Sequence, residues 1–425
     1  MLMVVSLGGV QAGASPMPLM PVPEENLTFS IEARTRGEWR ENNFDFDSGN
    51  RALTDDSWLL TRLRLGMDWK PESWLRVHLE GQDAREFFSD RPNVVGQLGA
   101  EGDDAMDLRQ GYLELGDPKH LALSLGRMEL DYGDGRLVSR APWKNVGQSF
   151  DAVKMRVAGD DWWLDAFASS VVKFKSGGFN QSSWLEGGEQ TFSGLYFHTT
   201  ALKFQATELY AFELHDHRSD FLTLGTRWKG DSKQLAGWDY DLEMAAQAGT
   251  VGDRDLSAFA GHWGVGYQWQ DLAWKPRLGL EYAFASGDPN PNDGRVKTFQ
   301  NLFPTNHPFY GLMDEFSWRN ISNPAVRFSM KPAQSLTVSL DYHCFWLADT
   351  KDAWYRSNQT TMVRPVTPGA DSHAGSEIDF VLAWKATQHL ELQGGYSHFF
   401  AGQYLADTGA DADADFAFLS LTAAF

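Results

Sequence analysis

Hydrophobic and polar residues alternate with a period of two between Ser57 and Gln82. Successive side chains of a β-strand point to opposite faces, so this period predicts two strands, joined by a tight polar turn at residues 70–73. One face is apolar and the other is charged. The apolar positions are Leu59, Thr61, Leu63, Leu65, Met67, Trp69, Leu75, Val77 and Leu79, and the opposite face carries Arg62, Arg64, Asp68, Lys70, Arg76, His78 and Glu80. An apolar face suited to lipid and a charged face suited to water predict a hairpin of a transmembrane β-barrel.

The same alternation recurs from Leu27 to the last segment, Asp415 to Phe425. We count about eighteen segments, and short turns alternate with long polar loops, of which the longest are Ser286–Asn320 and Asp349–Ser376. This asymmetry is typical of barrels with short periplasmic turns and long extracellular loops. The fold class predicted is therefore all-β, a transmembrane antiparallel β-barrel of about 18 strands in a bacterial outer membrane.

The first residues differ from the rest of the chain. Leu2 to Val10 is a short apolar run, and residues 12–14 read Ala-Gly-Ala, which resembles a signal-peptide cleavage site. A basic segment before the apolar run is missing, because the first Lys or Arg is Arg34. We expect residues 1–26 to be a signal-like segment and leader, and residues 27–425 to be a single barrel domain.

Composition narrows the function. A formal charge of −20 disfavours nucleic acid as a partner. The single cysteine, Cys344, allows no intrachain disulfide and is read as an apolar strand residue. A large soluble β-protein that binds carbohydrate would share the strand pattern, and it is kept as an alternative.

Basic residues are concentrated on the charged face of the predicted strands. Ion pairs with carboxylates on neighbouring strands are one interpretation of them, since such pairs fill barrel interiors. The functional interpretation is a pore wall that selects anions, because arginine stays charged and binds carboxylates in a bidentate manner. The candidate pore residues from this pattern are Arg34, Arg36, Arg62, Arg64, Arg76, Lys154, Arg156, Arg227, Arg277 and Arg327.

Two long motifs stand between predicted strands. The first runs from Gly126 to Leu137 and continues with Trp143-Lys144-Asn145; the second runs from Lys297 to Gly311 and continues with Trp318-Arg319-Asn320. Both resemble the signature segments of the bacterial alginate export family of outer-membrane β-barrel porins. The resemblance implies an eighteen-stranded barrel whose electropositive pore passes a polyanionic uronate polymer passively. Carried over by position, it marks Arg127 and Glu129 as pore residues and Asn306 and His307 as a loop that gates the pore.

Other chemistry finds less support in the sequence. Asp288, Asn290 and Asn292 superficially resemble a calcium loop, but the glycine is one place late and Phe299 stands where a bidentate glutamate is needed. We expect no cofactor and no enzyme activity, with calcium in this extracellular loop as a weak alternative. The partners expected are an anionic polysaccharide, outer-membrane lipid and periplasmic export scaffold proteins, and the barrel is expected to be a monomer. A small-solute or anion porin and an outer-membrane hydrolase are the alternative functions.

Overall fold

The computed structural model describes residues 26–49, 55–91, 100–175, 178–359 and 363–425. The signal-like segment expected at residues 1–26 therefore lies, except for its last residue, outside the described residues. None of the helical segments in the described ranges is long and apolar enough to cross a membrane.

The described residues form twenty strands and one short helix. In chain order they are β1 (Leu27–Glu41), β2 (Asp56–Glu72), β3 (Leu75–Phe87), β4 (Asp104–Asp117), β5 (Leu121–Met128), β6 (Phe150–Ala158), β7 (Trp162–Lys173), β8 (Gln181–Ser182), β9 (Thr191–Thr199), β10 (Gln205–His215), β11 (Ser219–Gly230), β12 (Trp238–Val251), β13 (Arg254–Gln268), β14 (Arg277–Ala285), β15 (Arg295–Val296), β16 (Ile321–Ala333), β17 (Leu336–Leu347), β18 (His373–Lys385), β19 (Leu390–Ala401), α1 (Gln403–Thr408) and β20 (Ala414–Ala424).

The strands close into a barrel. β8 and β15 have two residues each and lie in loops, which leaves eighteen strands in the wall. Each wall strand pairs antiparallel with its neighbours in the chain, and β1 pairs with both β2 and β20. Closure leaves no unpaired strand edge facing lipid, which a membrane interior requires. The predicted fold class and strand number are confirmed.

The two faces of the wall differ as the alternation predicts. On β1 the charged side chains from Glu32 to Arg40 point inward and are buried, whereas Phe29 and Trp39 point outward. On β2, Leu63 and Leu65 are 39% and 44% exposed, because no part of the described chain covers the outer face. This face is the one that meets lipid.

The loops are longer at one end of the barrel, the long-loop end, than at the other, the short-turn end. Two hairpins depart from the predicted asymmetry, because β10–β11 and β12–β13 are joined at the long-loop end by only a few residues each. The first turn is closed by Asp216, whose side chain accepts the N–H of Arg218 at 2.8 Å. In the second, Gly252 adopts a φ of 60°. At the long-loop end, the chain therefore extends least beyond the wall between β10 and β13.

Two long loops fold into the barrel instead of projecting from it. Loop A (residues 129–149) follows β5, and loop B (residues 286–320) follows β14. They bond to each other: the N–H of Ser139 donates to the carbonyl of Phe303 at 2.8 Å, and the N–H of Phe303 donates to that of Leu137 at 2.7 Å. Loops A and B therefore form one continuous structure across the lumen.

Aromatic side chains fasten both loops to the wall. Tyr132 of loop A stacks on Tyr196 of β9, with ring centroids 4.5 Å apart. Phe303 of loop B lies 4.8 Å from Phe192 and 5.3 Å from Phe150, measured between ring centroids. These rings form part of the buried core, so the lumen contains a packed apolar cluster that holds the loops in place.

Loop A spans the lumen from side to side. Arg34 on β1 binds its carbonyl groups, and its Asp134 lies 3.4 Å from Arg227 on β11. β1 and β11 are nine wall strands apart in a ring of eighteen, so they stand on opposite sides.

Candidate functional site: the lumen at loops A and B

The inward-facing arginines of β1 and β2 bind the backbone of loop A. Arg34 donates to the carbonyl of Pro142 at 2.9 Å and to that of Trp143 at 3.2 Å. Arg36 donates to the carbonyl of Trp143 at 2.6 Å, and Arg62 to that of Lys144 at 3.2 Å. Guanidinium groups carry several donors in a fixed plane, so they can hold successive carbonyls. The segment 142–144 is thereby fixed to the wall.

The charges of Arg36 and Arg62 are also compensated. Arg36 lies 2.7 Å from Glu38 and 3.1 Å from Glu101, and Arg62 lies 2.6 Å from Glu32. Arg36 and Arg62 are predicted pore residues, and in the structure both are buried. Their side chains therefore position loop A while balancing neighbouring carboxylates.

Trp143 stands where loops A and B meet. One face of its ring lies 3.7 Å from the guanidinium carbon of Arg36, which is a cation–π contact. Its ring also stacks on that of His307, with centroids 3.8 Å apart and an interplanar angle of 11°. His307 is held in turn by Asp314, 3.1 Å from its Nδ1, and Asn306 donates to the carbonyl of Ser357 at 2.7 Å. The predicted gate residues thus lie at the junction of the two loops.

A cavity of about 280 Å³, here called the arginine cavity, lies on the short-turn side of this junction. Five arginines line it, together with acids on the same strands and loop. The charged lining residues are Arg62, Arg64, Arg76, Arg109, Arg140, Glu32, Asp68, Glu80 and Glu129. The structure thus brings together four of the residues predicted from sequence: Arg62, Arg64, Arg76 and Glu129.

Arg109 and Arg140 were missed in the sequence. Arg109 lies at a bulge in β4, where the pairing with β3 shifts between Glu80 and Gly81. A bulge inserts one extra residue and changes the parity of the side chains, so Arg109 and Gln110 both line the cavity. Arg140 belongs to loop A, which has no periodicity. Its only signal was its place between the two parts of the first motif.

Several polar atoms around the arginine cavity have no partner among the described residues. They are Nη2 of Arg64, Nε of Arg109 and Nε2 of His78, and all three are buried. Arg64 uses Nε to bind Gln82 at 2.8 Å, and Arg109 uses Nη2 to bind Glu129 at 2.9 Å. The cavity therefore has hydrogen-bonding capacity left for water or an anion.

A second cavity of about 280 Å³, the outer cavity, lies on the long-loop side of the junction. Its lining combines Arg40, Lys144, His307 and Arg356 with the acids Glu38, Glu101 and Asp314 and the rings of Phe44, Trp58, Trp143 and Phe174. Lys144 is exposed there, and its side chain has neither a hydrogen bond nor an ion pair within the described part of the chain. Most of the other cations of this cavity are buried.

Glu315 is a buried acid of loop B, next in the chain to Asp314 of the outer cavity. The pKa of Glu315 is raised to about 7 because the side chain is buried, although Arg356 and Arg40 oppose the rise. Its carboxylate accepts the N–H of Phe44 at 2.9 Å and a bond from the Asn43 side chain. Glu315 therefore joins loop B to the turn that follows β1.

The opposite side of the lumen is closed by ion pairs. Arg277 lies 2.6 Å from Asp239, and Arg327 lies 2.9 Å from Glu281 and 2.7 Å from Asp341. A cavity of about 20 Å³ lies between these side chains, Asp134 and Arg136 of loop A, and Phe309 of loop B. This part of the wall, β11–β17 packed against loops A and B, is here called the sealed side.

Four further predicted pore residues lie on the wall away from the junction. Arg227 binds Asp241 at 2.7 Å, Arg127 binds Asp151 at 2.8 Å, and Arg156 binds Asp165 at 2.6 Å. Lys154 is half-buried, and its side chain has no hydrogen bond or ion pair with a described residue. These four residues, with Arg277 and Arg327, do not line the arginine cavity.

The weak calcium site stays a prediction. Asp288 is buried, and one of its carboxylate oxygens accepts the N–H of Asn290 at 3.2 Å. The other oxygen lies 3.9 Å from Arg254, while the side chains of Asn290 and Asn292 are exposed. Within the described ranges, no group of three or more His, Cys, Asp or Glu residues is arranged to hold a metal ion.

Comparisons with known proteins agree with this architecture. The model of the alginate export family matches residues 25–419. A comparison with curated proteins gave no match. Among solved structures, the chain is similar to OccAB3 of Acinetobacter baumannii, with a TM-score of 0.67 and 11% identity over 95% of this chain and 100% of that one. It is also similar to OccK5 (OpdH) of Pseudomonas aeruginosa, with a TM-score of 0.64 and 11% identity over 94% and 98% of the two chains. A third similar structure is OpdK of the same organism, solved with vanillate, with a TM-score of 0.63 and 12% identity over 94% and 98%.

Proposed function

Since the chain belongs to the alginate export family and is an outer-membrane channel of a Gram-negative bacterium, we propose that it passes an anionic polysaccharide, alginate or a related polyuronate. The observation that carries the proposal is the arginine cavity, in which five arginines meet beside the junction of loops A and B. Repeated carboxylates are the chemistry that such a cluster binds best.

Acids balance part of the positive charge of the arginine cavity, which favours passage of the polymer over tight binding. Each carboxylate of the polymer loses water on entering a narrow lumen, and the arginines offset that cost. Glu32, Asp68, Glu80 and Glu129 stand among the same arginines. They keep the net attraction small enough for the polymer to leave. Transport is then passive, and its direction is set by the supply of polymer.

The test is conductance of the purified protein in a planar bilayer. In a KCl gradient we expect a reversal potential that shows anion preference, and we expect added polyuronate to reduce the current. Neutral dextran of similar length is the matched control, and it should block less. Cation preference together with equal block by both polymers would overturn the proposal.

A small-anion porin is a second candidate, and one observation favours it. Loops A and B cross the lumen and leave two separate cavities of about 280 Å³ each, a volume near the lower end for small-molecule sites. Flux of monomeric uronate into liposomes, without block by the polymer, would favour this candidate. The monomeric state, the periplasmic scaffold partners and the hydrolase alternative stay untested.

A further inference from the structure

Loop A supplies one weakly compensated cation to each of the two cavities. Several wall arginines form short ion pairs, as Arg62 does with Glu32 and Arg277 does with Asp239. The wall cations Arg34 and Lys154, which have no ion pair with a described residue, line neither cavity. Lys144 of loop A is exposed, and its ammonium group has no partner in the described part of the chain. Arg140 is one-third exposed, and its nearest carboxylate oxygens, on Asp131 and Glu129, are 3.6 and 3.9 Å away.

Arg140 and Lys144 stand on opposite sides of the junction of the two loops. Arg140 lines the arginine cavity, and Lys144 lines the outer cavity. Pro142 and Trp143 lie between them, and Trp143 is the residue that stacks on His307. The segment 140–144 therefore presents one cation to each cavity, one on either side of the stack of Trp143 on His307.

This segment is also the part of loop A that the wall holds most firmly. The guanidinium of Arg34 donates to the carbonyls of Pro142, Trp143 and Lys144 at 2.9, 3.2 and 3.3 Å. The carbonyl of Arg140 accepts from Gln148 at 2.9 Å and from Arg109 at 3.3 Å. These bonds use only the backbone of the segment, so among the described residues the side chain of Lys144 stays unpaired and that of Arg140 has only its contacts of 3.6 and 3.9 Å with Asp131 and Glu129.

We propose that segment 140–144 determines the charge selectivity of the channel. Lys144 and Arg140 are successive contacts for the carboxylates of a permeating anion, one on each side of Trp143. Arg34 is a positioning residue that acts through the backbone of this segment. The inference rests on the proposed channel function, but it concerns the ionic selectivity of the open pore and does not require a polymer.

The experiment measures reversal potentials in a KCl gradient for Lys144→Glu, Arg140→Glu and the double variant. We expect each single change to reduce the chloride-to-potassium permeability ratio several-fold, and the double change to make the channel cation-selective. Lys119→Glu, the same change at an exposed short turn, is the matched control and should leave the ratio within a factor of two. Normal selectivity in a folded double variant would overturn the inference.

The positioning role of Arg34 has its own readout. Arg34→Gln should reduce the permeability ratio in the wild-type background. It should have little further effect in a Lys144→Gln background. A residue that contacted the anion itself would instead contribute additively in both backgrounds. Arg34→Lys should restore part of the selectivity, since it retains a donor for the loop carbonyls.

The outcomes separate this inference from the proposed function. Block by polyuronate that persists with unchanged selectivity in the loop variants would contradict the role of segment 140–144 and leave polymer passage standing. Altered selectivity in those variants, with no effect of polymer on the wild type, would support segment 140–144 and reject polymer passage.

Discussion

Arg34 and Arg277 carry the same charge on inward faces of the same barrel, yet their surroundings give them different tasks. Arg34 meets the carbonyls of loop A, more than a hundred residues away in the chain. Arg277 meets the carboxylate of Asp239. The side chain alone does not decide between holding a loop and neutralising an acid; the partner supplied by another element does. The task of a charged side chain in the lumen is therefore decided by the groups that contact it.

Glu315 provides a pH-dependent test at this scale. Burial raises its pKa from an ordinary 4.5 to about 7, so between these values the folded protein holds more of its proton than the unfolded chain does. The contribution of Glu315 to the free energy of unfolding is therefore fully present below pH 4.5. It is lost as the pH rises through 7, and the loss is at most about 3 kcal/mol.

We therefore expect the unfolding midpoint in denaturant to decrease between pH 5 and pH 8, and Glu315→Gln to flatten that part of the profile. The charged groups that face Glu315 are Arg356, Arg40 and Asp314, together with Glu377. A profile equally steep in the glutamine variant would assign the effect to one of these neighbours instead.

At the scale of elements, strands and loops differ in how far the sequence predicts them. Water on one face and lipid on the other impose alternation on every wall strand, so the hairpin of β2 and β3 was predicted together with its inner and outer residues. The bulge at Arg109 could not be predicted, because its cause is a shifted pairing with β3. The inward course of loop A could not be predicted either, because it depends on contacts such as Tyr132 with Tyr196, which have no local period.

The candidate site was predicted in part for the same reason. Alternation places Arg62, Arg64 and Arg76 on the lumen face, and the arginine cavity contains all three. It places Arg227 and Arg327 on that face equally well, although neither lines this cavity. The position of an arginine relative to the cavity depends on how the strands and loops assemble. The sequence of a single strand does not show it.

The ion pair between Arg277 of β14 and Asp239 of β12 tests how much paired buried charges of the wall contribute to stability. Either Arg277→Met or Asp239→Leu alone leaves a buried charge without its partner and should cost about 3–5 kcal/mol of unfolding free energy. The double variant should lose much less, because it removes both charges. Guanidinium unfolding of the four proteins in detergent measures the cycle.

Ion selectivity serves as the control for the same cycle. The pair lies on the sealed side, so the double variant should retain the wild-type reversal potential. A changed reversal potential would show that ions reach this part of the wall.

For the whole molecule, the main feature is the unequal division of the lumen. The arginine cavity lies beside β1–β4 and loop A, and the outer cavity lies between β1, β2 and both loops. On the sealed side, β11–β17 and the two loops enclose a cavity of only about 20 Å³. The path for solute is therefore displaced from the barrel axis toward the first strands. The excess of arginine over those strands, visible in the sequence, coincides with this path.

Cysteine modification tests that displacement with two glutamines. In a Cys344→Ala background, which removes the single native cysteine, Gln110→Cys lies in the arginine cavity. Gln247→Cys lies on the sealed side, where the native glutamine is bonded to Gln300. A small charged methanethiosulfonate should modify position 110 and reduce the current, and it should leave position 247 unmodified. Equal modification of both positions would mean that the path follows the barrel axis.

Loop A also has a mechanical consequence, because it joins β1 and β11 on opposite sides of the ring. A barrel without such a connection can flatten into an ellipse when the bilayer presses on it laterally. Here flattening along that diameter would have to compress or extend a segment bonded at both ends and packed among aromatic rings. The cross-section, and with it the spacing of Trp143 and His307, should therefore change little between thin and thick bilayers. The loop that narrows the lumen thus also keeps its width constant.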